Sequence, residues 1–259
     1  PATSGTAIHD ALDLSLQNVN PNSFEYDQET IDLIFDEIGN VIDNHMPVNE
    51  NDKIKMIGCK EHAPFTAQNM LDATINVLKE RRGDDYKETK HKTFLEGNFE
   101  QQILWQPKGL VVPIIGYADM LVNNPKTIIE YKTLQPRLGA VKKDGNRGFS
   151  VASIPVSPRI TYLEQITVYW EAMNREYYPI IIVGNKNKAK VFHPENCEDM
   201  SFENMERYSK AMIKKAKTRQ SLLMIDDPIS VLDTPDFEGD FYWNLGKELE
   251  DKAKELWLK

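Results

Sequence analysis

Residues 116–133, GYADMLVNNPKTIIEYKT, place two acids and a lysine in a segment otherwise built as a buried β-hairpin. Two β-rich runs, VVPIIGYADMLV and KTIIEYK, flank Asn123-Asn124-Pro125, a combination that breaks strands and favours turns. With a four-residue loop from Asn123 to Lys126, Val122 faces Thr127, and counting back along both strands sets Asp119 opposite Glu130. Directly opposed residues have Cβ atoms about 4.5–5.5 Å apart, and like charges placed there are destabilising. A divalent cation between them would remove the repulsion. Side chains alternate along a strand, so Glu130 and Lys132 share one face while Ile129 and Tyr131 take the other. A Glu and a Lys two apart occur on many exposed strands. Here the residues before Glu130 are apolar, as in a central strand, and buried strands rarely end in uncompensated charge. The cluster therefore predicts a functional site.

The chain has 259 residues, 41% hydrophobic and 27% charged, enough for one large domain with a substantial core. A net charge of −9 argues against a protein that coats nucleic acid indiscriminately, so any phosphate-binding surface must be a local basic patch. Cys59 and Cys197 are the only cysteines, too few for a Cys₄ zinc site or iron–sulfur cluster, and read as reduced structural thiols. No run of about 18 apolar residues and no signal-peptide pattern is present, which predicts a soluble intracellular protein. The chain opens on Pro1 without an initiator Met, which fits a lost N-terminal segment.

Along the chain, Thr3, Ser4 and Thr6 offer caps for a first helix through His9 and Leu12. Ile31, Ile34, Ile38, Val41 and Ile42 recur at helical spacing within 28–44, and Met70, Leu71, Thr74 and Leu78 within 67–79. From about 93 to 132 the pattern changes to a three-stranded meander with its first turn at Pro107-Lys108-Gly109. A loop is expected over 134–158, carrying Arg137, Lys142, Lys143 and Arg147 and ending at Arg159, with Asp144 its one acid. A helix over 161–176, strands at 178–183 and 189–192, and helices at 202–222 and 241–256 complete the reading. Lys and Arg so concentrated beside the acidic hairpin predict a phosphate-binding rim.

Together these residues resemble a known family. Asp119 with Glu130-Tyr131-Lys132 resembles the motif of the PD-(D/E)xK nuclease superfamily, and three further pieces resemble its RecB-type branch. Gly5-Thr6-Ala7-Ile8-His9 followed by Asp13 is similar to GTxxHxxxE, with Asp13 standing where the family carries Glu. Gln165-Ile166-Thr167-Val168-Tyr169 is similar to QxxxY. Gly116 before Asp119, and Thr133 after Lys132, agree with GxxD and (D/E)xKT. Order and spacing look most like the mitochondrial genome maintenance exonucleases and their phage relatives, over roughly residues 1–15 and 95–220.

The resemblance implies an α/β (α+β) restriction-endonuclease-like fold: a central mixed β-sheet of about five strands flanked by helices. It implies a single nuclease domain over 1–259, with 1–92 mainly helical and contributing His9, 93–195 holding the catalytic sheet and QxxxY helix, and 196–259 forming C-terminal helices. One or two Mg²⁺ or Mn²⁺ ions would be held by His9, Asp119, Glu130 and the backbone carbonyl of Tyr131. Lys132 would position or deprotonate the attacking water, and Gln165 would orient Lys132 or a phosphate. Tyr169 would pack beside the DNA strand, with Thr133, Arg137, Lys142, Lys143, Arg147 and Arg159 contacting its backbone. Trp105, Tyr131, Tyr162, Tyr169 and Trp170 are the candidate stacking platforms. Glu96 and Glu100 lie near the same strands and are read as exposed acids.

The expected activity is metal-dependent exonucleolytic hydrolysis of single-stranded or frayed DNA, in replication, recombination or repair, with a phage or organellar setting and a possible protein partner from that machinery. A structure-specific endonuclease or RNA-acting nuclease of the same fold is the first alternative. A non-catalytic nucleic-acid-binding module is the second. The two cysteines exclude the iron–sulfur version of this branch, and the absence of GxxxxGK[ST] excludes a nucleotide cofactor of the P-loop kind.

Overall fold

The computed structural model describes residues 2–20, 24–47, 49–82, 98–141 and 147–223. Three helices come first: α1 (Ala2–Asn18), α2 (Gln28–Asp43) and α3 (Glu50–Arg82). α2 starts where the side chain of Asp27 accepts a hydrogen bond from the Thr30 amide at 3.0 Å, and it buries Thr30, Ile34, Ile38 and Ile42, one per turn. α3 begins far upstream of the helix expected at 67–79 and carries Pro64 in its interior. Its first half turns Ile57 and Phe65 outward, 61% and 42% exposed, so hydrophobic periodicity does not mark it.

The meander follows as β1 (Asn98–Trp105), β2 (Ile114–Asn123) and β3 (Lys126–Thr133). The stretch expected as a loop over 134–158 instead contains a second, two-stranded sheet, β4 (Arg137–Val141) against β5 (Arg147–Ser150). This hairpin is anchored by Phe149, whose ring lies on Gly58 of α3. A Cβ there would sit 2.4 Å from the ring, so the close approach requires glycine. Then come α4 (Ile160–Ala172), β6 (Tyr178–Asn185), β7 (Lys188–Phe192) and α5 (Phe202–Leu223).

The main sheet has the order β1-β2-β3-β6-β7, as the expected mixed five-stranded core requires. All pairs are antiparallel except β3 with β6, and that parallel pair needs the long connection that the β4–β5 hairpin and α4 supply. Met120, Val122, Ile129, Tyr131, Ile180 and Ile182 share one core with Leu12, Leu16, Ile34, Ile38, Met70 and Leu71 of the first three helices. Ile128, Ile181 and Val183 alternate with them and are buried outside that cluster. α4 packs against β1, β2, β3 and β6, burying Leu163, Ile166 and Trp170.

The chain divides into two compact units, Pro1–Pro107 with Pro113–Met212, and Lys108–Val112 with Ile213–Lys259. The first contains the sheet and α1 to α4. In the second, Gln220 near the end of α5 clips the 108–112 turn in place, its Oε1 accepting from the Val111 amide at 2.6 Å and its Nε2 donating to the Gly109 carbonyl at 3.3 Å. Among the described residues no helix is long and apolar enough to cross a membrane. The helix expected at 241–256 and the first residues of the meander, 93–97, lie outside the described residues.

Candidate active site

The hairpin register agrees with the count made on the sequence. Val122 faces Thr127, and pairing runs Leu121↔Ile128 and Met120↔Ile129. The turn is tighter than expected, since Asn123 pairs with Lys126 and Asn124-Pro125 alone makes the corner. The next position back is Asp119 with Glu130, and here the ladder stops. Instead of a backbone carbonyl, the carboxylate of Asp119 accepts the Tyr131 amide at 2.6 Å.

The neighbouring pair β1–β2 is also interrupted at Asp119. Its register runs Phe99↔Met120 and then Gln101↔Ala118, skipping Glu100 and Asp119. Glu100 has φ 46°, in the left-handed region that non-glycine residues avoid. Asp119 is thus freed from ladder geometry on both sides, and its second oxygen lies 3.4 Å from Nδ1 of His9. α1 brings His9 to this corner because Gly5, one turn earlier, lies against Thr133 at the end of β3.

Glu130 is 1% exposed, and its Oε1 accepts from Nζ of Lys132 at 2.5 Å. Its Oε2 is buried without a hydrogen-bonding partner among the described residues. Burial, then the charge of Asp119, raises the Glu130 carboxyl above the ordinary value even though Lys132 pulls it down. Asp119 is also raised, chiefly by burial, against the lowering effects of His9, the Tyr131 amide and Lys132.

Sequence reasoning left two acids out of this cluster. Asp13 is raised to about 8 by burial and then by Asp119, Glu100 and Asp10. One helical turn after His9, it projects from the same face of α1, and that spacing was the signal available in the sequence. Glu100 is exposed, as expected, and its charge still raises Asp10, Asp13 and Asp119, so it acts on the same cluster. Its left-handed backbone has no sequence signature.

The QxxxY pair is held by hydrogen bonds within the fold, and Tyr169 is 2% exposed. Its hydroxyl donates to the Tyr117 carbonyl at 2.7 Å and accepts from Nε2 of Gln165 at 2.7 Å. Gln165 thus orients Tyr169, and Tyr169 braces β2 two residues from Asp119. Gly116 makes room for this brace, since a Cβ there would fall 2.4 Å from Cε1 of the ring. Gly116→Ala is expected to lower stability by about 1–3 kcal/mol through overpacking. Gly39→Ala, where nothing lies within 4 Å in the middle of α2, is expected to be neutral or stabilising by about 1 kcal/mol. Thermal melts of the two variants check the contrast.

Of the expected stacking residues, Tyr131 and Trp170 are buried, and Trp105 is 9% exposed. The Tyr131 ring turns into the core, its hydroxyl 3.0 Å from Thr74 Oγ1. Tyr162 alone is half-buried at the site, with Nζ of Lys132 5.0 Å from its ring centroid and the Arg159 guanidinium 5.9 Å from it. Arg137 and Arg159 are exposed. Lys142 and Lys143 lie outside the described residues, as does the Arg147 side chain.

As they stand, no three described His, Cys, Asp or Glu side chains converge tightly enough to hold a metal ion. Lys132 takes one oxygen of Glu130, and the Tyr131 amide takes one of Asp119. The donor set nevertheless fits a hard divalent cation. It offers a buried carboxylate oxygen without a partner, acids held above their ordinary values by burial and mutual repulsion, and an imidazole at the rim. No protein-family model matches the chain, and no curated protein matches it either.

Proposed function

We propose that the protein is a divalent-cation-dependent phosphodiester hydrolase of the PD-(D/E)xK kind, acting as an exonuclease on single-stranded or frayed DNA ends. The interruption of both ladders at Asp119 carries this reading, because it gathers Asp119, Glu130 and Lys132 at one point beside His9. Asp119, Glu130, His9 and the Tyr131 carbonyl would hold Mg²⁺ or Mn²⁺. The bound ion supplies Lewis-acid polarisation of the phosphate and a more acidic water.

The chain's own residues do the rest. The Tyr131 amide fixes the rotamer of Asp119, and the Tyr169 brace fixes the strand that carries it. The ammonium of Lys132, now on Glu130, is the donor nearest the buried carboxylate and would hold the attacking water and screen charge on the phosphorus. Arg159 and Tyr162 would meet the strand where it enters.

Digestion of single strands labelled at the 5′ or 3′ end, with Mg²⁺, with Mn²⁺ and with EDTA, tests the proposal. Stepwise loss from one end, abolished by EDTA, is expected. Cutting of a covalently closed circle at the linear rate would remove the exonuclease reading. Binding without cleavage under every divalent condition would remove the hydrolase.

A further inference from the structure

A strongly basic stretch belongs to the second unit. Of the second unit's residues, 108–112 and 213–223 are described, and they carry Lys108, Lys214, Lys215, Lys217 and Arg219 with no acid among them. All five are exposed, in a chain of net charge −9. The patch is assembled from two segments. Gly109, at φ 88°, turns the chain under α5 so closely that a Cβ there would lie 3.7 Å from Nζ of Lys217, and the two hydrogen bonds of Gln220 lock the turn against the helix. Lys108 is thereby tied to the helix that carries the other four cations. Among the described residues, Lys108, Lys214, Lys217 and Arg219 take part in none of the ion pairs.

We propose that this face is a polyanion-binding track for the phosphodiester backbone of a single-stranded nucleic acid. Lys214, Lys217 and Ser221 follow at three- and four-residue steps, which puts successive polar groups about 5 Å apart along one side of the helix, a spacing suited to successive phosphates. A membrane-surface helix would need a broad apolar face opposite its cations. The described part of this segment offers half-buried Ile213 and Ala216 there. The proposal rests on the nuclease reading for the choice of a nucleic-acid strand over other polyanions.

Binding of a fluorescent oligothymidylate by the full chain in EDTA, where no cleavage occurs, tests the track. Lys108→Gln, Lys214→Gln and Lys217→Gln combined are expected to lower affinity at low salt on the order of tenfold or more, and to reduce the slope of log affinity against log salt by about 2. The triple replacement Lys108→Arg, Lys214→Arg, Lys217→Arg, which keeps the charge, is expected to bind as the parent does. Unchanged affinity and slope in the Gln variant would overturn the track. So would a parent protein that binds phosphatidylserine vesicles and not the oligonucleotide. A protein that binds through the track yet never cleaves with Mg²⁺ or Mn²⁺ would sink the nuclease reading and leave the track standing.

Discussion

Replacing Lys132 by alanine is expected to slow Mg²⁺-supported cleavage of a single-stranded end on the order of 10³-fold, the range seen when a charged donor or acid–base group is removed from a reacting centre. The fold should persist. Lys132 is the group that holds down the proton affinity of Glu130, so its loss lets Glu130 bind a proton and avoids an isolated buried charge. Cation binding should also persist, because removing the ammonium from Oε1 leaves both oxygens of Glu130 available. The measurements are single-turnover rates beside the rise in thermal midpoint on adding Mn²⁺. A variant that cleaves within a few-fold of the parent shows that Lys132 is not in the reacting centre.

The second large effect is on stability. Asp13 is raised to about 8, and Asp119 and Glu130 are raised as well, with burial the first cause in each. Between the ordinary carboxylate range and about pH 8, the native state therefore holds more protons than the unfolded chain. Stability from these groups is full below the unfolded value and is lost as pH rises through that window. Without divalent ions, the thermal midpoint is expected to fall by about 5 °C or more from pH 5 to pH 8. Mn²⁺ should restore most of that loss at pH 8 and do little at pH 5, where protons already neutralise the cluster. Asp13→Asn should flatten the metal-free profile. A midpoint that climbs across the window, or a Mn²⁺ effect equal at the two pH values, contradicts the account.

Local pattern made much of this molecule legible from its residues. The alternation around Asp119 and Glu130 and the Asn-Pro corner fixed a register that the strands obey, because a one-residue slip would have turned Ile129 and Tyr131 out of the core. The β4–β5 hairpin was not legible, since its short strands contain Gly139 and Gly148 and owe their place to Phe149 on Gly58. Asp13 and Glu100 join the site through tertiary approach, and Glu100 does so through a backbone conformation that no pattern announces. The brace of Gln165 and Tyr169 was found as a motif, while its hydrogen bond to the Tyr117 carbonyl was not legible. Helical spacing places two residues on one face without saying what that face meets.

The left-handed turn at Glu100 also bears on how the molecule behaves among its own copies. Among the described residues β1 is an edge strand, and such an edge offers N–H and C=O groups to any other extended chain. Its neighbourhood is sticky: Leu104, Ile115 and Tyr117 are 57%, 54% and 57% exposed. A straight edge of eight residues beside them would be a template for aggregation. Glu100, the third residue of that edge, departs from strand geometry at φ 46° and places an exposed charge there. The backbone irregularity beside Asp119 thus also works against strand-on-strand association, and straightening it is expected to lower solubility.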